Sequence, residues 1–244
     1  MAILYGLHPV EHALGAARPL ERVLVARPAL RARVHKIVAA AQAANIPVRF
    51  VSRAELDRFT GTRKHQGVAA LAGSKHYTEL EELIAQAHAP ALFLLLDGVE
   101  DPRNLGAILR TAYCAGVDGV VLPERRAASV TPTVEKTSAG ASEHIPVARV
   151  TNLGRALQRL KAAGCWLVGL DERAPQRFTQ VDLTGPLGVV LGGEGKGLHE
   201  HVRGKCDFVV SIPTVGTIGS LNVAVAAGVV LYEARRQRQA KGLV

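Results

Sequence analysis

Short apolar runs rich in β-branched residues alternate with helical patterns along the whole chain, and this alternation constrains the fold more than any other feature. Residues 91–96 form an uninterrupted apolar run, which is typical of a central parallel strand covered on both faces. Strand-like runs follow at 119–122, 165–170, 187–191 and 207–212, with helical segments between them. Because such alternation predicts βαβ units, we expect an α/β protein with a parallel sheet.

The first third of the chain predicts a smaller α/β unit of its own. A strand-like run at 68–72 closes it, and the mixed segment 73–90 predicts a short helix within a linker. The elements expected before that run are a helix at 8–15, a strand at 22–25, a helix at about 29–44 and a strand at 48–51. The expected organisation is a first domain at 1–74, a linker at 75–90 and a second domain at 91–244, with a last helix at about 220–238 that is buried at its start and solvated at its basic end.

Positive charge is concentrated near the N-terminus. The 244 residues carry a formal net charge of +9, and residues 1–75 hold 12 Lys and Arg against 4 Asp and Glu. A basic region of this kind indicates an acidic partner, such as nucleic acid or an anionic surface. We expect more than half of these basic side chains to be plain solvated charges. If that partner is RNA, the candidates for contact are Arg18, Arg22, Arg63, Lys64, His65 and Gln66.

Composition and patterning exclude several classes of protein. No apolar run approaches the roughly 18 residues of a transmembrane helix, and the first residues show no secretory signal pattern, so we expect a cytosolic protein. The cysteines Cys114, Cys165 and Cys206 are odd in number and lack CxxC spacing, which predicts ordinary buried thiols rather than disulfides or zinc ligands. Aromatic residues make up only 4% of the chain, which disfavours an RNA-binding surface built on base stacking.

Two motif matches fail on closer comparison. Residues 8–12 formally fit H-x-x-E-H, but Pro9 places them in a first helical turn and no further ligand cluster is evident, so we expect a helix start and no metal. The run 192–197 is rich in glycine but lacks the spacing of a Walker A loop or a Rossmann fingerprint. It predicts a loop with few side chains at the carboxyl end of a strand, where open α/β sheets bind ligands, and Glu194 is its single acidic residue.

Polar segments leave three of the predicted strands and enter helices. The first places Asn104 near a helix N-terminus and Arg110 about two turns later, so that the two side chains flank a shared ligand. The glycine loop is the second. In the third, 212–223, Ser220 is expected to cap the last helix and Asn222 to lie in its first turn. Three such loops at one sheet edge predict a binding or catalytic site.

These three segments, in this order, resemble the three motifs of the SpoU family of S-adenosylmethionine-dependent RNA ribose 2′-O-methyltransferases. Residues 104–110 look like the first motif, 191–195 like the second and 212–223 like the third. In the N-terminal region, the runs 5–10 and 65–70 are similar to the small L30e-like RNA-binding domain that precedes the catalytic domain in one branch of the family. The resemblance therefore extends over nearly the whole chain.

The resemblance implies a fold, a cofactor, a partner and a set of site residues. The fold is a small L30e-like α/β domain followed by a SPOUT-type α/β knot catalytic domain with a deep C-terminal trefoil knot, and two catalytic domains associate in a homodimer. The cofactor is S-adenosyl-L-methionine, the partner is 23S rRNA, and the expected target is guanosine 2251 in the peptidyl-transferase P loop. The positions that match cofactor contacts are Gly192, Ile212 and Leu221. The positions that match catalytic residues are Asn104, Arg110, Glu194, Ser220 and Asn222.

The third motif departs from the family pattern at two positions, Thr214 in place of the usual Met and Ala224 in place of a frequent Ser. Neither position carries a catalytic group. In the family the role of base is assigned to the residue matching Arg110, but arginine keeps its proton up to a pKa above about 12. Stabilisation of the developing alkoxide, or a clamp on the neighbouring phosphate, is the alternative. The sequence also leaves open tRNA or another rRNA nucleotide as the substrate, and a non-catalytic RNA-binding relative.

Overall fold

The computed structural model describes residues 2–16, 18–28, 32–73, 77–195, 197–215 and 219–243. Among them, contacts divide the chain into two compact units. The N-terminal unit contains the residues up to 73 together with the inserted segment 129–144, and the C-terminal unit contains 77–128 together with 145–243. No sequence pattern indicated that the inserted segment would pack with the first third of the chain. The domain boundaries expected from the sequence stay a prediction.

The secondary structure alternates between strands and helices throughout the described ranges. The strands are β1 (Ala2–Tyr5), β2 (Leu20–Ala26), β3 (Val48–Val51), β4 (Val68–Ala72), β5 (Leu92–Asp97), β6 (Gly119–Pro123), β7 (Val147–Val150), β8 (Trp166–Leu170), β9 (Leu187–Gly192) and β10 (Phe208–Val210). The helices are α1 (Leu7–Gly15), α2 (Ala32–Ala43), α3 (Arg53–Thr60), α4 (Leu80–Ala85), α5 (Pro102–Ala115), α6 (Pro132–Thr137), α7 (Leu153–Ala162), α8 (Glu200–Arg203) and α9 (Val223–Ala240).

The N-terminal unit is built on a four-stranded sheet in the order β1-β4-β2-β3. Strand β4 is antiparallel to both of its neighbours, and β3 runs parallel to β2. The core behind this sheet contains Leu4, Val25, Ile37 and Val68, all shielded from water. Strand β1 was not predicted, because four residues carry little periodic signal and their pairing partner β4 lies more than 60 residues away in the chain.

The C-terminal unit is built on a six-stranded, all-parallel sheet in the order β10-β8-β9-β5-β6-β7. Every residue of β5 is buried, as its apolar run predicted, and the expected α/β fold with a parallel sheet is confirmed. Strand β9 lies between β5 and β8 although it follows both in sequence. Strand β7 was not predicted, because half of its residues are only partly buried at the edge of the sheet.

The last helix, α9, begins at Val223, and its N-cap is Asn222, whose Oδ1 accepts a hydrogen bond from the Ala224 amide at 2.9 Å. The expectation that Ser220 caps this helix is therefore wrong. An asparagine side chain satisfies a free amide of the first turn as well as a serine does, so both residues fit the sequence signal.

The basic end of α9 is not fully solvated as expected. Arg238 is 3% exposed, and its guanidinium donates to the carbonyl oxygens of Pro90, Ala91 and Gly185 at 2.8–2.9 Å. Burial lowers the pKa of Arg238, and the carbonyl acceptors satisfy its donors. This residue ties the end of α9 to the loops that precede β5 and β9.

The three cysteines differ in their surroundings. Cys165 is buried and Cys206 is half-buried, and burial raises the pKa of the Cys206 thiol to about 11. Cys114 is exposed near the end of α5, so the expectation of a buried thiol is wrong there. All three are free thiols.

Candidate active site

The carboxyl ends of β5 and β9 meet at one edge of the parallel sheet. Asp97 at the end of β5 is paired in register with Gly192 at the end of β9, and the Gly193 amide donates to the Asp97 carbonyl oxygen at 2.7 Å. The chain enters the glycine loop from β9, and from β5 it enters the turn before α5. Open parallel sheets bind ligands at such edges, beyond the carboxyl ends of the strands.

Three of the predicted catalytic residues form one hydrogen-bonded chain. The Asn104 Nδ2 donates to Glu194 Oε1 in a short hydrogen bond, and the Asn222 Nδ2 donates to Asn104 Oδ1 at 3.1 Å. A carboxylate only accepts, so the amide nitrogen of Asn104 must face Glu194 and its oxygen must face Asn222. The oxygen of Asn222 is in turn occupied by the Ala224 amide. The side-chain amides of Asn104 and Asn222 thus each have a defined orientation.

The start of α5 positions Asn104. Asp101 is the N-cap, with its carboxylate accepting from the Arg103 amide at 2.7 Å, and Pro102 occupies the first helical turn. Asn104 therefore lies in that turn, as the sequence predicted. Arg110 follows on the same helix, is exposed, and makes no hydrogen bond or ion pair within the described part of the chain. The structure does not bring Arg110 into contact with the hydrogen-bonded chain.

A cavity of about 250 Å³ opens beside the glycine loop and is called here the glycine cavity. Its walls include Gly192, Ile212 and Leu221, the three positions that match cofactor contacts, together with Ser220. Gly192 has no room for a side chain, because a Cβ there would lie 2.0 Å from the Gly197 carbonyl carbon. The loop thus folds back tightly on the end of β9 and presents backbone groups to the cavity.

Acidic residues at the end of β8 also line the glycine cavity, and sequence reasoning missed them. Glu172 is exposed at the wall, whereas Asp171 is buried; its carboxylate accepts hydrogen bonds from Arg173 and forms an ion pair with Arg203, whose Nε lies 3.2 Å away. The hydrogen bond from Arg173 lowers the pKa of Asp171 to about 2, so this carboxylate stays ionised and fixed in place. The available signal was a pair of carboxylates directly after a predicted strand.

A second cavity, of about 630 Å³, adjoins the first and is called here the charged cavity. It is lined by Asp97, Gly98, Glu100, Arg126, Gly193, Glu194, Gly197 and His199. Gly197 lines both cavities, and Glu194 joins the charged cavity to the hydrogen-bonded chain. Glu194 was expected from the sequence, but the other charged residues of this cavity were not, because they follow three different strands.

Two of the six candidates for RNA contact are held inside the N-terminal unit. The Arg18 guanidinium is 7% exposed and lies 2.6 Å from carboxylate oxygens of both Glu135 and Glu143 in the inserted segment. His65 is fully buried, with Nε2 at 2.7 Å from Asp57 Oδ1 and Nδ1 at 3.0 Å from the Gly67 amide. The expectation that these two side chains reach RNA is corrected, because in this structure their polar atoms serve the interior of the unit.

The other four RNA candidates remain accessible to different degrees. Arg63 is 93% exposed, Lys64 is exposed, and Arg22 is about half-exposed with Glu21 at 3.9 Å. Gln66 is exposed as a residue, but its Oε1 accepts from the Leu7 amide at 3.0 Å. Contact of these residues with RNA stays a prediction.

The described ranges contain no group of three or more His, Cys, Asp or Glu side chains placed to hold a metal ion. His8 and His12 of the H-x-x-E-H match lie on α1, and their rings stack with centroids 6.4 Å apart. None of the helices in these ranges is long and apolar enough to cross a membrane.

Comparisons with known proteins match both parts of the chain. Residues 91–232 match the model of the SpoU rRNA Methylase family, and residues 3–78 match a model described as RNA 2′-O ribose methyltransferase substrate binding.

Individual relatives are similar over almost their full length. The chain is 42% identical to a putative TrmH family tRNA/rRNA methyltransferase, YacO, of Bacillus subtilis, covering 97% of this chain and 96% of the relative. It is 43% identical to the 23S rRNA (guanosine-2′-O-)-methyltransferase RlmB of Pseudomonas putida, covering 98% and 97%. Among solved structures, the SpoU methyltransferase AviRb of Streptomyces viridochromogenes in complex with AdoMet superposes with a TM-score of 0.85 at 27% identity, covering 98% and 90%.

Proposed function

Because the chain belongs to the SpoU rRNA Methylase family, we propose that it transfers a methyl group from S-adenosylmethionine to the ribose 2′-hydroxyl of a guanosine in 23S rRNA. The observation that carries this proposal is the hydrogen-bonded chain Glu194–Asn104–Asn222 beside the glycine cavity. The RNA and guanosine parts rest on the similarity to the relative named RlmB. The proposed nucleotide is the P-loop guanosine 2251.

The residues around the glycine cavity fit S-adenosylmethionine. Backbone groups of Gly192 and Gly195 are free of side chains and suit the polar edge of an adenine, while Ile212 and Leu221 suit its apolar faces. Glu172 supplies a carboxylate for the cationic or hydroxyl groups of the cofactor. When bound, the cofactor supplies an electrophilic methyl group on a sulfonium.

The chemical task left to the protein is to position a ribose hydroxyl and to assist the loss of the hydroxyl proton during the attack on the methyl group. Orienting two reactants supplies much of the rate enhancement in a displacement of this kind. Glu194 and Asn104 have fixed orientations and present polar atoms where a ribose would lie. Asn222 holds Asn104 from the start of α9 and acts as a positioning residue.

Arg110 is proposed to enter this site only with RNA bound. In the structure its side chain is exposed and lines neither cavity. A guanidinium keeps its proton in water, so its simplest role is to stabilise the developing alkoxide or to clamp the adjacent phosphate. Ser220, at the wall of the glycine cavity, is proposed to contact the cofactor or the ribose.

The N-terminal unit is proposed to dock the RNA. Its match to a substrate-binding family model and its exposed basic residues Arg22, Arg63 and Lys64 support this role. Contacts to phosphates provide affinity without reading the sequence. The expected first domain at 1–74 corresponds to this role, and the expected second domain at 91–244 to the methyl transfer.

A homodimer through the catalytic domains and a C-terminal trefoil knot complete the proposal. Helix α9 presents Val225 and Tyr232 with about half of each side chain exposed, as a face that associates with a second copy would. The insertion of β9 between β5 and β8 supports a threaded C-terminal segment. Analytical ultracentrifugation of the full chain and of Tyr232→Asp tests the dimer, and a monomeric wild-type protein contradicts it.

The decisive experiment is methyl transfer to defined RNA. Full-length protein with radiolabelled S-adenosylmethionine is incubated with rRNA and tRNA purified from cells that lack the enzyme, and the modified nucleotide is mapped. Label at one guanosine ribose of 23S rRNA supports the proposal. Label in tRNA or at another rRNA nucleotide supports the same chemistry on a different substrate. Binding of RNA without transfer to any of them supports a non-catalytic relative.

A further inference from the structure

The charged cavity lies next to the methyl-transfer residues and is not explained by them. Its volume of about 630 Å³ falls within the range of ~300–1,000 Å³ that is typical of ligand sites. Glu194 belongs both to this cavity and to the hydrogen-bonded chain. A group bound in the cavity would therefore lie beside the ribose that reacts.

Two residues of opposite charge line this cavity without pairing with each other. Glu100 follows β5 and Arg126 follows β6, and both are exposed. Within the described part of the chain, neither makes a hydrogen bond or an ion pair, with the other or with a third residue. An exposed carboxylate and an exposed guanidinium that line the same cavity and leave each other unpaired are both available to a ligand.

The floor of the charged cavity is made of backbone. Gly98 has a φ of +86°, and a Cβ on Gly193 would lie 1.9 Å from the Gly98 carbonyl oxygen. Both positions therefore require glycine, and no side chain rises from the floor. Such a surface suits a flat group laid against it.

The side wall beside the floor is held in place by a buried carboxylate. Asp97 accepts from the His199 backbone amide at 2.8 Å and from its ring Nδ1 at 3.0 Å. The His199 Cε1 would lie 3.5 Å from a Cβ on Gly98, so the ring borders the floor closely. The ring leaves Nε2 as its remaining polar atom for a ligand.

Among the four RNA bases, guanine alone matches this pair of charges. Its Watson–Crick edge presents two neighbouring donors, N1–H and the N2 amino group, which a carboxylate accepts together. Its other edge presents two acceptors, O6 and N7, which an arginine binds in bidentate fashion. Adenine and cytosine place a ring acceptor where the carboxylate would sit, and uracil places two carbonyl oxygens on either side of its single donor.

We infer that the charged cavity receives the base of the target nucleotide and selects guanine, with Glu100 reading the N1–H and N2 donors and Arg126 reading O6 and N7. This inference rests on the proposed function, because it places the reacting ribose at Glu194. It makes Glu100 and Arg126 specificity residues of the same site.

The first test measures base binding without catalysis. Saturation-transfer NMR on the full-length protein compares guanosine, inosine and adenosine 5′-monophosphates, where inosine lacks the N2 amino group. We expect the guanosine nucleotide to bind at least about fivefold more tightly than the other two. Glu100→Gln should bring guanosine and inosine nucleotides within about twofold of each other. Equal binding of all three nucleotides by the wild-type protein overturns the inference.

The second test measures discrimination during methyl transfer. RNA substrates carry guanine, inosine or 7-deazaguanine at the mapped target, and 7-deazaguanine lacks the N7 acceptor. Glu100→Gln should lose the preference for guanine over inosine, and Arg126→Gln should lose the preference for guanine over 7-deazaguanine. A fall in rate by one common factor on all three substrates would indicate a merely structural role and overturn the inference.

Each of the two variants has a matched control, in which a residue of the same charge outside the cavity is replaced. Glu124→Gln and Arg125→Gln change residues that follow β6 but do not line the cavity, and both should keep the wild-type preferences. If the wild-type protein transfers no methyl group to RNA, the proposed function fails. The nucleotide-binding test still decides the inference in that case, because it needs neither cofactor nor transfer.

Discussion

The Asn222 Nδ2 donates to Asn104 Oδ1 at 3.1 Å, which links the first turn of α5 to the N-cap of α9 across 118 residues of sequence. Because the Oδ1 of Asn222 is already held by the Ala224 amide, the link fixes which way the Asn104 amide points. Its Nδ2 must then face Glu194. The two helix starts thus orient a carboxylate that neither of them carries.

Asn104→Asp should abolish this orientation. The new carboxylate would still accept from Asn222 but would repel Glu194, so we expect methyl transfer to fall by roughly 100-fold, as small misplacements of reacting groups do. Affinity for S-adenosylmethionine should change little. Single-turnover rates and cofactor calorimetry measure the two effects, with Glu200→Gln as an exposed control on α8. A wild-type rate in Asn104→Asp contradicts the role given to the hydrogen-bonded chain.

The role of Arg110 in methyl transfer can be assigned by comparing two substitutions. Arg110→Lys keeps a positive charge but loses the bidentate fork, whereas Arg110→Ala loses both. If Arg110 stabilises the alkoxide or clamps a phosphate, Lys should retain part of the single-turnover rate and Ala should lose roughly 100-fold or more. RNA affinity measured alongside separates the two roles, since only the clamp contributes to binding. Normal turnover in Arg110→Ala would contradict both alkoxide stabilisation and the phosphate clamp.

Arg18 is expected to stabilise the fold rather than bind RNA. Removing it would take its positive charge away from the buried carboxylates of Glu135 and Glu143, and breaking a buried ion pair in this way costs about 3–5 kcal/mol. Arg18→Met should lower the free energy of unfolding by that amount. Arg33→Met breaks the exposed pair with Glu11 and should cost at most about 1 kcal/mol. Weaker RNA binding by Arg18→Met with an unchanged free energy of unfolding would instead show that Arg18 contacts RNA.

The parallel sheet and the segments that carry the candidate catalytic residues could be predicted from the sequence, whereas the long-range charge pairs could not. The run 91–96 signals a buried strand because every residue is apolar, and Asn104 follows a recognisable helix start. No local pattern shows that Arg18 meets two carboxylates more than 100 residues away. This pairing exists because the inserted segment 129–144 packs within the N-terminal unit, and sequence periodicity does not indicate that packing.

The charged cavity was hidden for a related reason. Glu100, Arg126 and His199 follow three different strands, and each alone looks like an ordinary surface residue. Parallel strands bring their carboxyl ends to one edge, so the residues that meet there depend on the strand order. That order places β9 beside β5, and the order of the strands in the sequence does not reveal it.

Arg63 and Lys64 should contribute to RNA affinity through charge. Replacing both with Gln removes two exposed cations, so binding should weaken and the slope of log affinity against log salt should become shallower by up to about 2. Titrations of an rRNA fragment at several salt concentrations measure the slope. Arg236→Gln removes an exposed cation paired with Glu233 in the C-terminal unit and serves as the control. An unchanged slope in the double variant places RNA docking elsewhere.

His12 should make the N-terminal unit sensitive to mild acid. Burial, followed by the nearby His144, lowers the pKa of His12 below its usual 6.5, and the adjacent charges of Glu11, His8 and Arg33 act on the same ring. A histidine with a lowered pKa binds its proton less readily in the folded than in the unfolded state, so its contribution to stability is present at neutral pH and is lost as the pH falls below about 6.5.

Hydrogen exchange of α1 measures this effect after correction for intrinsic exchange rates. Protection of α1 in the wild-type protein should decrease from pH 7.5 to pH 5.5. His12→Gln should remove most of that decrease. The control His35→Gln changes an exposed histidine of α2 and should preserve the decrease. The His12 Nδ1 lies 2.7 Å from the His144 Nε2, so a charge gained by His12 acts directly at the contact between α1 and the inserted segment. Equal pH dependence in the wild-type protein and His12→Gln would show that other groups control the stability of this unit.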